Sequence, residues 1–330
     1  MKQLELSRRI ELLDYLRGFA LMGIILVNAG PLLRIPEPAA HSSDAAYWRF
    51  LYLFVEGRFY TIFTFLFGAG FYIFITRANA KGRNGYVLFL RRMAVLFLFG
   101  LIHVQFHPGE ALTIYAVSGL LILPFYKVDK VINLIAGLMM LLVFALFSFK
   151  IFMVLPLMLL GIAAGQYHVF DRFPLKKAAV FTGIMLILAI AGIAYQNQYA
   201  PINFGVETPE IQHFYRIGIT IGPIVSAFYA GTFALLVQRE GILKLLFFPL
   251  KNYGRMALTN YVSQTALLLL AGHMFELFGR ITYLESLYLC LAIYVVQFIF
   301  SSFWLRYFHY GPLEWVWRIA TYMKIPPMRK

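Results

Sequence analysis

The sequence predicts an all-α polytopic integral membrane protein of about ten transmembrane helices, with both termini cytoplasmic. Three observations carry this. Apolar residues make up 61% of the 330 positions and charged residues only 13%, about half the quarter usual in soluble domains. Aromatic residues reach 18% and mean hydropathy is +0.73. So few charges cannot cover a water-facing surface, which excludes a soluble globular domain; so much apolar surface excludes a disordered chain. Finally, the apolar residues gather in runs of about 20, enough to cross about 30 Å of hydrocarbon at about 1.5 Å per residue.

The spans follow in order. The first, 12–33, carries Asp14 and Arg17 near its start. No small-residue cleavage site follows Ala29-Gly30-Pro31, so it reads as a retained helix rather than a signal peptide. The second, 50–76, holds Gly68-Ala69-Gly70, a small-residue face suited to close helix packing. The third, 90–107, opens at Arg91-Arg92. The fourth to sixth, 110–126, 131–149 and 151–168, are punctuated only by Lys127-Val128-Asp129-Lys130 and Lys150. The seventh, 178–197, follows Lys176-Lys177, and the eighth is 215–237. The ninth, 254–278, starts at Gly254-Arg255, and the tenth is 284–308. Residues 239–253 read as a short cytoplasmic interfacial segment. Residues 311–328, with Trp315, Trp317 and Tyr322, read as an aromatic, basic tail at the inner interface. The chain thus divides into a first bundle, 1–168, and a second transmembrane region, 169–330.

Charge sets the orientation. The formal net charge of +14 raises the question of nucleic acid. Alternating the sides along ten spans answers it. Only Arg34, Arg49, Arg58, Lys150, Arg216 and Arg280 fall on the far side, and Arg17 lies within the first span. Every other one of the 29 Lys and Arg falls on the side of the N-terminus. That asymmetry makes the N-terminal side cytoplasmic. No nucleic-acid partner is needed. The single cysteine, Cys290, excludes an internal disulfide framework and a cysteine metal cluster.

Polar groups inside a bilayer are costly, so each is a candidate for function against the alternative of a helix–helix hydrogen bond. In the first span Arg17 and Asn28 share one face, and Asp14 lies about 40° away. This face is either an inner-interface ion pair plus a packing amide, or the wall of a cavity. Arg92 and His103 repeat the spacing; His107 and then Pro108-Gly109-Glu110 follow. Two His and one carboxylate arise often by chance, so no metal is assigned. A His–carboxylate acid–base pair has a better physical motive than a metal, because the carboxylate fixes the imidazole tautomer and raises its basicity; an ordinary interfacial His cluster stays open as the structural alternative. His41, His103, His107, His213 and His273 all fall in the outer half, with His168 and His309 inner. Proton-handling groups thus gather outside and phosphate-attracting cations inside, which suits a molecule anionic at one end and reactive at the other. Asn260, Ser263 and Gln264 share a stripe, as do Gln297, Ser301 and Trp304. Each stripe lines the cavity or zips two helices, and the zip is preferred for the second. Walker A, dinucleotide GxGxxG and HExxH motifs are absent from the sequence.

Longer motifs carry a resemblance. These are Leu13-Asp14-Tyr15-Leu16-Arg17-Gly18-Phe19-Ala20 with Gly23 to Asn28; Phe63 to Gly70; Gly100-Leu101-Ile102-His103; and Gly109-Glu110-Ala111-Leu112. Gly254-Arg255-Met256-Ala257-Leu258-Thr259-Asn260-Tyr261, Trp304 to Phe308 and Gly311 to Arg318 complete the set. Together they resemble the YeiB-like bacterial membrane proteins, whose C-terminal half is domain of unknown function 418. Glu110 stands where that family usually has Asp, and the chain is shorter between the sixth and eighth helices. The opening pattern is similar to that of a wider group of transmembrane acyltransferases. In that group an Asp…Arg-Gly helix precedes an Asn and a His in the next loop. The matching positions are Asp14, Arg17, Gly18, Asn28 and, across a loop of different length, His41.

The resemblance implies a transmembrane acyltransferase of the bacterial inner membrane. It would take acyl-CoA or acetyl-CoA as co-substrate and pass the acyl group to an extracytoplasmic acceptor. On this reading His103, Glu110, Asn28 and His41 are catalytic, while Asp14, Arg17, Arg92, Arg255 and Asn260 bind the cofactor. Partners are membrane lipid, donor and acceptor, and a homodimer is compatible with the set. Two other classes stay open: a small-molecule or lipid transporter or exporter using His103 and Glu110 as a proton relay, and a membrane scaffold.

Overall fold

The computed structural model describes residues 10–171, 175–202, 208–238 and 245–330. They are helical throughout apart from turns and one isolated bridge, Phe308 to Arg329. Helix α1 spans Glu11–Leu33, and Arg34, in the left-handed conformation, closes it by donating its amide to the Gly30 and Pro31 carbonyls. Helix α2, Ser43–Phe50, is capped by Ser42 and runs into a π-helical turn, Leu51–Val55. Gly57, at φ +76°, then permits the break before α3, Arg58–Ala80. Asn84 caps α4, Gly85–His103. The next segments are short: α5, Leu112–Leu121; a 3-10 turn, Leu123–Lys127; α6, Lys130–Leu146; and α7, Val154–Gln166. Long helices return with α8, Leu175–Asn197, and α9, Pro209–Gln238. The chain ends with α10, Phe248–Arg255; α11, Ala257–Met274; α12, Tyr283–Tyr307, opened by a Thr282–Glu285 capping box; and α13, Pro312–Tyr322.

Among the described residues six helical runs are long and apolar enough to cross a membrane: Glu11–Leu33, Ser43–Ala80, Gly85–His103, Leu175–Asn197, Pro209–Gln238 and Tyr283–Tyr307. The chain is therefore a helical membrane protein. The region of the expected fourth to sixth spans departs from expectation. Its helices have 10, 17 and 13 residues. Pro124 stops α5 in a 3-10 turn, and Ser148, at φ +57°, ends the α6 segment early. The expected ninth span, 254–278, corresponds to α11, with its first two residues ending α10 across the break at Met256.

Contacts between helix ends define two poles of the bundle. At one pole Arg49 Nε donates to Asn197 Oδ1 at 2.8 Å and Lys150 pairs with Glu56. At the other, Gln166 donates to the Val128 carbonyl at 2.8 Å and Trp317 Nε1 to the Arg92 carbonyl at 2.8 Å. Helix α1 is the centre, packed on α3, α10 and α11. Its Leu13, Leu16 and Ala20 join Leu66 and Phe71 of α3 and Met158 of α7 in the main core. By contrast α8, the most apolar run, is the least covered by protein, as expected for a helix facing lipid.

Of the expected interfacial segment 239–253, residues 239–244 lie outside the described residues. The rest is two-sided: Leu245, Leu246 and Phe248 are exposed, while Leu250, Asn252 and Tyr253 are buried, as is Gly254 just beyond it. A Cβ at Gly254 would stand 1.9 Å from the Asp14 carbonyl oxygen, and one at Gly18 2.3 Å from that of Leu250. The paired glycines let the two backbones touch. The expected tail is helix α13 folded back onto α4, and it forms one wall of the site.

Candidate functional site

Between α1, α3, α4 and α13 lies a cavity of about 830 Å³. Its volume is at the upper end for small-molecule sites. The helix-one face with Asp14, Arg17 and Asn28 does line it, from one pole toward the other.

At the basic pole Asp14 and Arg17 pair at 3.5 Å. The Arg17 guanidinium rests on α3 where Gly70 leaves room; a Cβ there would come 2.9 Å from Nη2. Arg92 lies over the Trp317 ring at 3.6 Å and the Phe74 ring at 5.0 Å. Cation–π contact holds it without neutralising it. Arg318 sits over Tyr310 and Tyr322, both at 4.9 Å. Arg77, Lys81, Arg83 and Arg255 complete the cationic lining. The carboxylate of Glu314 is engaged elsewhere. It accepts from the Leu258 amide at 2.7 Å and from the Thr259 hydroxyl at 2.6 Å, which caps α11. Burial pushes this carboxyl above the ordinary range and the same hydrogen bonds oppose the shift. The pole therefore carries a strong excess of positive charge facing a cavity, a ready anion site.

The opposite pole carries Asn28, Glu56, Lys150, Glu110, Tyr115 and Tyr261. The Glu110 side chain, one residue before the N-cap Ala111, accepts from the first turn of α5: from the Leu112 amide at 2.5 Å, the Thr113 amide at 2.8 Å and the Thr113 hydroxyl. His103 Nδ1 is 3.8 Å from Glu110 Oε2, too far for a hydrogen bond and close enough for charge to couple. His103 Nε2 meets Thr265 Oγ1 at 2.9 Å, and its Nδ1 is buried without a partner. The His103 ring stands 5.2 Å from that of Tyr261 and 5.6 Å from that of His107. His107, in the turn after α4, is buried; desolvation and nearby His103 press its pKa down to about 4.

The predicted site residues sort clearly. Asp14, Arg17, Arg92 and Arg255 share the cationic pole, and Asn28 and Glu110 the other end of one cavity. His103 is near but is not a wall; Glu110 and Tyr261, beside it, are. His41 is not brought in: it is exposed in the loop before α2, at φ +60°. Asn260 is not brought in either. It is fully buried and donates to the Tyr253 carbonyl at 2.8 Å and Ser301 Oγ at 2.9 Å. Gln297 donates to Ser263 Oγ at 2.7 Å, so both polar stripes zip α10, α11 and α12 together. Sequence reasoning missed Trp317, Tyr261 and the Glu56–Lys150 pair. Trp317 was visible as part of the aromatic tail, but no spacing rule ties a tail to a helix more than two hundred residues earlier.

A helical membrane bundle with a cavity running from a cationic to a titratable pole defines the class. The model of the family described as Protein of unknown function (DUF418) matches residues 164–324. The chain is 56% identical to the uncharacterized 39.9 kDa protein in amylase 3'region of Bacillus acidopullulyticus, over 99% of this chain and 98% of that one. It is 27% identical to uncharacterized protein YxaH of Bacillus subtilis (strain 168), over 98% and 97%. It is 26% identical to uncharacterized protein YeiB of Escherichia coli (strain K12), over 94% and 95%. The chain belongs to the YeiB-like DUF418 family.

Proposed function

We propose that the protein transfers an acyl group from cytoplasmic acyl-CoA to an acceptor beyond the bacterial inner membrane. In this proposal ten helical segments cross the bilayer, with both termini and the arginine pole cytoplasmic. The observation that supports it is the polarity of the large cavity. Arg17, Arg77, Arg92 and Arg255 line one end, Asn28, Glu110 and Tyr115 the other. Acyl-CoA has the same polarity, phosphates at one end and a thioester at the other. Arginines hold the phosphates. At the far end the His103–Glu110 pair, with Glu110 the member at the wall, takes the proton of the acceptor hydroxyl or amine as its oxygen or nitrogen attacks the thioester carbonyl. Asn28 donates a hydrogen bond to the oxyanion. Collapse of the tetrahedral intermediate breaks the carbon–sulfur bond, and the CoA sulfur leaves with the proton. Exposed His41 and buried Asn260 have no part.

Calorimetric titration of the purified chain with CoA tests the reading. Saturable binding is expected, weakened about tenfold in Arg17→Gln, the loss of about 1.4 kcal/mol. No heat at millimolar CoA rejects it. A transporter is the second reading, favoured because the cavity reaches from Arg17 to Lys150. Proton-coupled flux in proteoliposomes that vanishes in His103→Ala would select it.

A further inference from the structure

A second cavity, of about 270 Å³, adjoins the first; Glu56, Gly57, Tyr60 and Lys150 line both. Its distinctive wall is Arg58, the first residue of α3, only 1% exposed. Nη1 donates to the carbonyls of Glu56 at 2.5 Å and Gly218 at 3.2 Å, and Nη2 to Gln196 Oε1 at 2.9 Å. All three acceptors are neutral. Among the described residues Arg58 is in no ion pair, and its Nε is buried without a partner. The nearby carboxylate, Glu56, is paired with Lys150 instead. Two cations thus face one carboxylate at this place. A buried charge without a counter-ion is strongly unfavourable, and carbonyl dipoles relieve only part of that.

An independent observation shows that space is kept open here. Gly222 of α9 is buried and lines the cavity, yet a Cβ built on it would meet nothing within 4 Å. Buried Gly68, Gly161 and Gly254 do the opposite: a Cβ at each would come within 2.1 Å of a backbone oxygen. The backbone before Arg58 is also irregular. The π-turn at Leu51–Val55 and the left-handed Gly57 set Glu56 so that its carbonyl meets Arg58 and its carboxylate meets Lys150. Such π-insertions recur at functional sites.

We infer that the small cavity is an anion subsite in which Arg58, with Lys150 at the shared wall, receives the carboxylate or phosphate group of a ligand. On the acyl-transfer proposal, on which this further naming rests, the ligand is the acceptor. Its anionic group would sit at Arg58 and its nucleophile would face the large cavity past Glu56. The anion subsite itself stands on the cavity and the unpaired guanidinium alone.

Thermal unfolding of the full chain in a nonionic detergent tests it. Inorganic phosphate or acetate is compared with chloride at matched ionic strength. The expected result is a saturable rise in Tm of about 2–4 °C over chloride. The rise persists in Gly183→Ala, on the sparsely covered α8, and is diminished in Arg58→Gln. Should Arg58→Gln not fold, Gly222→Leu decides, since it fills the space with Arg58 intact and is expected to abolish the rise. No saturable rise in the wild type with phosphate, acetate or phosphatidylglycerol, or an undiminished rise in Gly222→Leu, overturns the subsite. A third arm adds phosphatidylglycerol to the micelles. If this alone gives the Arg58-dependent rise, the anion is a lipid headgroup. CoA titration is read separately. Failure of CoA with the anion effect intact overturns the acyl-donor reading, and the reverse overturns the subsite.

Discussion

At the scale of single residues, the two histidines on one turn are equally buried and differ in what they meet. Both Nδ1 atoms are buried without a hydrogen bond, but His103 also meets the Thr265 hydroxyl at Nε2 and has the Glu110 carboxylate 3.8 Å from Nδ1. His107 is therefore held neutral, down to about 4, well under the ordinary value near 6.5. Between these two values the unfolded chain binds more protons at this position than the folded one, so stability rises with pH. The penalty is absent above about pH 6.5, grows on acidification and is complete below about pH 4. Replacing the ring removes that slope. Thermal midpoints of wild type and His107→Gln at pH 7 and pH 4.5 check this. The wild type is expected to lose more on acidification, by on the order of 2 kcal/mol. Equal losses would show that His107 is protonated freely in the fold.

At the scale of elements, backbone contact decides the packing, and two glycine pairs set it. Helix α1 meets α10 through Gly18 and Gly254; α3 meets α7 through Gly68 and Gly161. Gly254→Ala is expected to push α10 off α1 and to cost about 1–3 kcal/mol. Gly183→Ala is the control, since no atom lies near its added methyl on lipid-facing α8, and it is expected to be neutral or stabilising. Size-exclusion thermostability in detergent measures both, and an unchanged midpoint in Gly254→Ala would contradict the contact. The small-residue face at Gly68 was legible in the sequence, because small residues at a helix interface have one main use. So was the cavity-facing stripe of α1, because Asp14, Arg17 and Asn28 obey helical spacing. The lengths of α5, α6 and α7 were not. Apolarity alone extends a run through Pro124 and Ser148, where backbone geometry stops it. Nor was it legible that Asn260 and His41, both expected at the site, stand away from the cavity. Spacing places a residue on a face, but which neighbour that face meets is fixed by contacts far apart in sequence, such as Asn260 with Ser301.

For the whole molecule, the distribution of charge and the polarity of the cavity make one argument about direction. The cations that fix orientation by sequence are partly those at the cavity's basic pole: Arg77, Lys81, Arg83, Arg92 and Arg255. If that pole is cytoplasmic, the cavity admits an anionic ligand from inside and delivers its far end outward. The short helices α5 to α7 are the point at which this can fail, since α5 has 10 residues and alone spans about 15 Å. Single-cysteine labelling resolves it, because the native Cys290 is fully buried and silent. Cysteines replace exposed Lys81 and Lys127 at the basic pole and exposed His41, Phe147 and Arg280 at the other. A membrane-impermeant maleimide applied to intact spheroplasts is expected to label the second group alone, and both groups after lysis. Labelling of Lys81→Cys but not His41→Cys would reverse the orientation and with it the direction of acyl transfer. Labelling of Lys127→Cys together with His41→Cys, with Lys81→Cys protected, would mean that α5 does not cross. The cavity would then open to the outside beside Tyr115, and an acyl donor entering from the cytoplasm would have no closed path to a separate acceptor.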